Sequence, residues 1–310
     1  MKVIYGLEAI HPPLTRSVLT VGNFDGVHLA HRKLLNDASL LAVDTGAPVI
    51  VLTFEPHPLT IVAPAKAPPR LCLPDDKLRL LAEADANIAV VARSEPALLT
   101  LDAERFIEDV LVRQFHPTHI VEGPSFGFGR GRKGTPELLA QLAPRFGYQV
   151  CIVEPVRIIL DNGDDVMVSS SLIRNLLLQC RVREAARCLG YTYSLTGTVI
   201  RGSARGRALG FPTANLDIRD QLVPGEGVYA GRAWVDDAPF PAATSIGSTP
   251  TFGGDRSRVE SHLLDFDADI YGKTIRVEFG RLLRPQRKFP SPEALAEQLH
   301  RDILAVANGE

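Results

Sequence analysis

The chain has 310 residues, 45% of them hydrophobic, and 34 Lys and Arg against 36 Asp and Glu give a formal net charge of −2. That length accommodates two domains, each with its own core. The charge balance excludes the basic excess of a general nucleic-acid binder, and no apolar run approaches membrane-spanning length.

Residues 1 to about 188 alternate strand-like and helix-like segments. Val18–Val21 reads as a strand and His28–Val43 as an amphipathic helix. Val49–Phe54 is a near-continuous apolar strand, followed by a helix over Asp76–Glu83, a strand over Ile88–Val91 and a helix over Glu104–Phe115. A short strand at His119–Val121, a helix at Pro136–Phe146 and a strand at Tyr148–Val153 complete the series. Apolar strands between helices predict a Rossmann-like α/β domain, a parallel sheet covered on both faces. Ser170–Leu178 and Arg183–Leu189 read as two short helices joining the halves. From about Tyr191 the texture becomes β-rich, with runs at Ser194–Ile200, Val228–Trp234, Ala243–Ile246, Val259–Phe266 and Thr274–Phe279. Such short runs between turns predict a small antiparallel barrel. Glu293–Val306 reads as a closing amphipathic helix, and the expected domain boundary lies near residue 188.

The first strand runs into Gly22-Asn23-Phe24-Asp25-Gly26-Val27-His28-Leu29-Ala30-His31. A strand, a Gly-flanked turn and a helix start form a layout suited to a nucleotide phosphate. His28 and His31 are expected on one helix face, where both can donate to a phosphate. Thr53-Phe54-Glu55-Pro56-His57-Pro58 ends the next strand, and its prolines demand a turn. Gly123-Pro124-Ser125-Phe126-Gly127-Phe128-Gly129, with Arg130, Arg132 and Lys133 behind it, suits triphosphate contact or an ordinary solvated loop. Ser169-Ser170-Ser171 caps a helix in which Arg174, one turn in, can reach a phosphate.

In the second half, three glycines and three arginines lie in Arg201-Gly202-Ser203-Ala204-Arg205-Gly206-Arg207-Ala208-Leu209-Gly210, a candidate anion cradle or a solvated turn. Thr213 and Asn215 alternate, so an extended chain points both to one face, and their oxygens are acceptable to Mg²⁺. Glu260, on the strand that starts at Val259, can accept a proton from a substrate hydroxyl or simply face solvent. The four cysteines, Cys72, Cys151, Cys180 and Cys188, lack metal-ligand spacing. With no signal-like N-terminal segment, a cytoplasmic location is expected.

Taken together, these motifs resemble the prokaryotic bifunctional riboflavin kinase/FAD synthetase family over roughly residues 15 to 305. The first half resembles the adenylyltransferase module through Gly22–His28, His31, Thr53–Pro58 and Phe126–Gly129. The second resembles the riboflavin kinase barrel through Gly210–Asn215, Gly227-Val228-Tyr229, Pro250-Thr251-Phe252, Val259-Glu260 and Leu283-Arg284-Pro285. The resemblance implies phosphorylation of riboflavin to FMN by ATP, then transfer of AMP from a second ATP to give FAD. It implies Glu260 as catalytic base, and Thr213 and Asn215 holding Mg²⁺–nucleotide. Gly202, Arg205, Gly206, Arg207 and Gly210 would contact phosphate in the kinase. Gly22, Phe24, His28, His31, Ser125 and Arg174 would do so in the adenylyltransferase. Ala30 stands where the family has Gly, Ser125 where it has Asp or Asn, Ser171 where it has Thr and Tyr191 where it has Arg. Two other readings use the same residues: a riboflavin kinase with a weakened first module, and a flavin-binding regulator without turnover.

Overall fold

The computed structural model describes residues 1–11, 14–202, 210–249 and 256–309. They form two compact units, one of residues 1–159 with 163–168, the other of residues 160–162 with 169–310.

The first unit is built on a six-stranded sheet: β1 (Lys2–Tyr5), β2 (Ser17–Val21), β3 (Val49–Glu55), β4 (Ile88–Arg93), β5 (Pro117–Glu122) and β6 (Gln149–Ile152). The order is β1-β4-β3-β2-β5-β6, and every pairing is parallel. Val18, Leu19, Ile50, Val51, Leu52, Ala89 and Val90 are all essentially inaccessible, as expected of strands covered on both faces. The covering helices are α1 (Leu29–Thr45), α2 (Pro74–Glu83), α3 (residues 103–115) and α4 (Pro136–Phe146). The sheet and its covering helices differ from the sequence reading in two places. Strand β1 was not expected; four residues, only one of them fully buried, leave no periodic pattern to read. The middle of α3, Phe106–Val112, is π-helical rather than α-helical, while Phe106, Ile107, Val110 and Leu111 still face the core.

Chain order and sheet order reverse between β2 and β5. From β2 the chain winds through α1 to β3 on one side, and β5 joins β2 on the other. Such a switch point leaves a crevice at the carboxyl ends of the strands, the usual ligand site in open α/β sheets. Residues 22–28 leave β2 there. A small hairpin, β7 (Arg157–Ile159) with β8 (Asp165–Met167), ends the unit and also had no clear sequence signal.

The second unit holds α5 (Ser170–Leu178), α6 (Val182–Leu189) and a closed barrel. Its strands are β9 (Ser194–Ile200), β10 (Ala214–Ile218), β11 (Gly227–Val235), β12 (Ala238–Thr249), β13 (Arg256–Leu263) and β14 (Thr274–Arg284). They close in the order β10-β13-β12-β11-β14-β9 with antiparallel pairings throughout. Closure removes the exposed sheet edges that a small β-domain would otherwise present. Inward side chains alternate with outward ones, so Val259, Ser261 and Leu263 fill the interior while Arg258, Glu260 and His262 face out. Helix α7 (Pro292–Ala307) is capped by the Ser291 hydroxyl, which accepts from the Ala294 amide. It is tied to the barrel by the buried Asp302, whose carboxylate pairs with Arg284.

The expected cut near residue 188 and the division into units differ by the helical pair. α5 and α6 go with the barrel because they are pinned to it locally: the Gly225 amide donates to the Leu177 carbonyl, and the Cys180 thiol to the Glu226 carbonyl.

Candidate functional site

In the first unit the loop after β2 is a rigid construction. Phe24 and Val27 adopt left-handed backbone angles, φ +48° and +34°, and Gly26 lies at +80°. For Phe and Val this is strained, and both side chains are fully buried, which holds them there. Gly22 has no Cβ because the Phe24 ring packs 3.2 Å from where one would stand. Asp25 is buried and serves the scaffold: its carboxylate accepts the Leu71 amide at 2.9 Å and the Cys72 amide at 3.4 Å. The Gly26 amide in turn donates to the Cys72 sulfur.

His28 and His31 meet as expected, but not on a helix face. His28 is the residue that precedes α1, with extended backbone angles, and its carbonyl accepts the Arg32 amide. His31 sits in the first turn. The two rings stack with centroids 3.6 Å apart and planes 16° apart, and the Phe24 ring lies 5.0 Å from His31. Burial, the neighbouring His28 and the Lys77 ammonium hold His31 well below the ordinary imidazole value. It is therefore a neutral imidazole at pH 7, and its buried Nδ1 has no hydrogen-bond partner among the described residues. The pair thus offers donors at the start of a helix, where the backbone already favours an anion.

Lys77 and Arg70, which the sequence reading did not single out, meet Glu55 of the Thr53–Pro58 motif at the same place. Lys77 on α2 is buried; its ammonium approaches the Asn23 carbonyl at 3.4 Å and pairs with Glu55 at 3.8 Å. Burial lowers its pKa against the pull of Glu55, Cys72 and Asp25. Glu55 is held down by Arg70, whose guanidinium grips both its oxygens, and by Lys77 and His57, against the opposing effect of burial. The signal was present: Lys77 falls on the apolar face of α2 with Leu80 and Leu81, where a solvated lysine has no reason to be. His57 accepts the Leu59 amide at Nδ1 and contacts Asn23 at 3.1 Å through Nε2. After Pro56 the chain does turn, but Pro58 then starts a single helical turn, a position where its missing N–H costs nothing.

The 123–134 loop is anchored by the stacked Phe126 and Phe128 rings, with Gly134 leaving room for Phe128. Ser125 is exposed at its tip, where its carbonyl accepts from Arg132. Arg174 lies on α5 and belongs to the second unit, so the first unit by itself does not contain it.

In the second unit, Gly210 makes the turn into the barrel motif with φ +84°. Phe211 then packs edge-on against His262 and His300, and the Pro212 carbonyl contacts His262 Nδ1 at 2.7 Å. Thr213 and Asn215 are partly buried on one face, alternating with the buried Ala214 and Leu216. Asn215 is the direct cross-strand partner of Glu260, which in turn stands opposite Ser245 on β12. Outward side chains at such paired positions lie about 5 Å apart. Glu260 is steadied by Arg258 at 3.4 Å. A Cβ at Gly202 would stand 2.3 Å from the Asn215 amide, so a larger residue there would displace that side chain. Arg205, Gly206 and Arg207, expected to cradle phosphate, lie outside the described residues, as do Pro250, Thr251 and Phe252.

Two family models match the chain, FAD synthetase over residues 11–171 and Riboflavin kinase over residues 189–308. The bifunctional riboflavin kinase/FMN adenylyltransferase of Escherichia coli K12 is 36% identical over 308 residues, 99% of this chain and 97% of that protein. The chain belongs to the bifunctional riboflavin kinase/FMN adenylyltransferase family. The Haemophilus influenzae member is 35% identical, covering 98% of this chain and 97% of its own length. A crystal structure described as a macrolide-efflux protein from Streptococcus pneumoniae superposes with a TM-score of 0.88 at 30% identity, covering 99% of both chains. Among the described residues no helix of this family member is long and apolar enough to cross a membrane. Nor do any three or more of their His, Cys, Asp and Glu side chains form a group that could hold a metal.

Proposed function

We propose that this protein converts riboflavin to FAD in two ATP-dependent steps, one in each unit. In the first, the riboflavin ribityl hydroxyl attacks the γ-phosphorus of ATP, giving FMN, ADP and a proton. In the second, a phosphate oxygen of FMN attacks the α-phosphorus of another ATP, giving FAD and pyrophosphate. The carrying observation is that both family models match in full succession and each falls on a unit with a built site: the stacked His28–His31 pair on the sheet, and the Asn215–Glu260 pair on the barrel.

In the kinase, Glu260 takes the proton of the attacking hydroxyl. Its carboxylate is partly exposed on an outward face and positioned by Arg258, which leaves it reachable. Thr213 and Asn215 present hard oxygens on one face, beside the strand that carries Glu260, and would hold Mg²⁺ with the nucleotide. Held there with ATP, Mg²⁺ would supply charge neutralisation at the phosphates. Gly202 and Gly210, with Arg205, Gly206 and Arg207 between them, border the nucleotide phosphates. In the adenylyltransferase, His28 and His31 donate to phosphate oxygens whose charge grows in the transition state, and Gly22 and Phe24 shape the cradle. A neutral His31 donates without needing a counter-ion. Ser125 borders the triphosphate from the opposite loop. The location proposed is the cytoplasm, where ATP and flavin are at hand, and the partners are riboflavin, FMN, FAD and ATP.

Incubation of the pure protein with riboflavin, ATP and Mg²⁺, followed by chromatography of the flavins, tests the reading. FAD is expected. FMN alone would reduce the protein to a kinase with a silent first unit, and unchanged riboflavin would make it a flavin binder.

A further inference from the structure

A buried carboxylic side chain, Glu122, lies at the switch point of the sheet and takes no part in the reactions above. It is 2% exposed, at the end of β5. Its Oε1 accepts the backbone N–H of Val21 at 2.6 Å, across 101 residues of sequence.

The direction of that N–H explains why a side chain is needed. The Val18 amide donates to Pro48 and the Gly22 amide to Leu52, both toward β3. Amides alternate along a strand, so the Val21 N–H points the other way, toward β5. The paired residues of β2 and β5 stop at Leu19 and Ile120. Beyond them no β2–β5 pair follows, and the Glu122 backbone carbonyl faces β6, where it accepts the Val153 amide. Val21 would be left with a buried orphan donor at the last residue before the Gly22–His28 loop, and such an orphan costs as much as a lost hydrogen bond.

We propose that Glu122 is a positioning residue for adenylyl transfer: its side chain replaces the missing ladder carbonyl between β2 and β5 and fixes where the phosphate loop leaves the sheet. The inference rests on the assignment of that loop to ATP. Glu122 touches no reacting atom; it acts through Val21 and Gly22 on the placement of Phe24, His28 and His31. The role requires a hydrogen-bond acceptor of this length, and no charge. Burial raises the pKa of this carboxyl well above the ordinary range, against the opposing effects of the Val21 amide and the Thr20 hydroxyl, in agreement with an acid that is kept neutral. A charge here would also repel the phosphates the loop is built to receive.

The test compares Glu122→Gln, Glu122→Asp and Glu122→Ala in the full-length protein, with KM for ATP and kcat measured for FMN-to-FAD conversion. Riboflavin kinase turnover by the same sample measures enzyme concentration, and the melting profile of each variant measures folding of the first unit. Gln keeps the acceptor and the length, and is expected to stay within about threefold of the unsubstituted enzyme in both constants. Asp is too short to hold the Val21 amide, and Ala has no acceptor. Both are expected to raise the KM for ATP about tenfold or more, with kinase activity unchanged. If Ala does not fold, Asp carries the test. An unchanged KM for ATP in Asp would overturn the proposal. So would equal loss in Gln, which would show that the carboxyl's proton, rather than its placement, matters. Absence of FAD formation in the unsubstituted protein would instead remove the functional reading, before any variant is compared.

Discussion

Replacing Asp25 by Ala tests whether the most conspicuous acid of the nucleotide loop acts on substrate or on the scaffold. Asp25 is 9% exposed, and its carboxylate is aimed away from the crevice into segment 70–72. It receives the Leu71 amide at 2.9 and 3.1 Å on its two oxygens and the Cys72 amide at 3.4 Å. A hydrogen bond to a charged acceptor contributes about 1.5–3 kcal/mol, and a buried amide left without an acceptor costs about 1–3 kcal/mol. Counting one strong and one long bond, the loss is about 2–4 kcal/mol. For a unit of this size each kcal/mol lowers Tm by about 2–4 °C, so a shift of about 5–15 °C is expected. The assay is calorimetric melting of the full-length protein alongside both activities. The first unit should melt early, while the kinase of the second unit keeps its kcat and KM. An unchanged melting profile with lost FAD synthesis would refute the reasoning and move Asp25 from scaffold to catalysis.

Glu260→Gln should abolish FMN formation from riboflavin and leave FMN-to-FAD conversion intact, read by chromatography with either flavin as the starting material; loss of both would contradict separate sites. Gly202→Ala should push the Asn215 amide aside, because the new methyl stands 2.3 Å from it; an increase in the kinase KM for ATP of about tenfold is expected, with no change in Tm. His31 has a lowered pKa in the folded protein, so below its ordinary value of 6.5 the unfolded chain takes up a proton that the folded one refuses. Stability should therefore fall as pH drops below 6.5, and His31→Gln should flatten that slope in denaturant titrations. Glu122 has the opposite sign: above its ordinary value of 4.5 the unfolded chain ionises and the folded one does not, so Glu122→Gln should gain stability relative to the parent as pH rises from 4.5 toward neutral.

Much of the architecture was legible in the chain. Apolar runs of three to six residues between amphipathic helices identify a covered parallel sheet, and short alternating runs between turns identify the barrel. Both readings survive because burial on two faces or on one leaves a direct imprint on residue type. Short elements leave none: β1 and the β7–β8 hairpin are three or four residues each and borrow their stability from neighbours. The π-helical middle of α3 was equally hidden, since its core-facing residues fit either helical period over two turns.

The sites divide in the same way. Residue identity and spacing by themselves pointed to the loop after β2, the His28–His31 pair and the Thr213–Asn215 run, because each is local; Glu260 joined them through the family resemblance. Only the tertiary structure decided what those atoms face. It turned Asp25 inward to hold segment 70–72, stacked the two imidazoles at a helix start, brought Lys77 under Asn23, and set Glu260 opposite Asn215. It also put the Glu122 carboxyl against an amide 101 residues away. These are contacts across strands and between helix and sheet, fixed by register and packing, and no local spacing in a sequence encodes them.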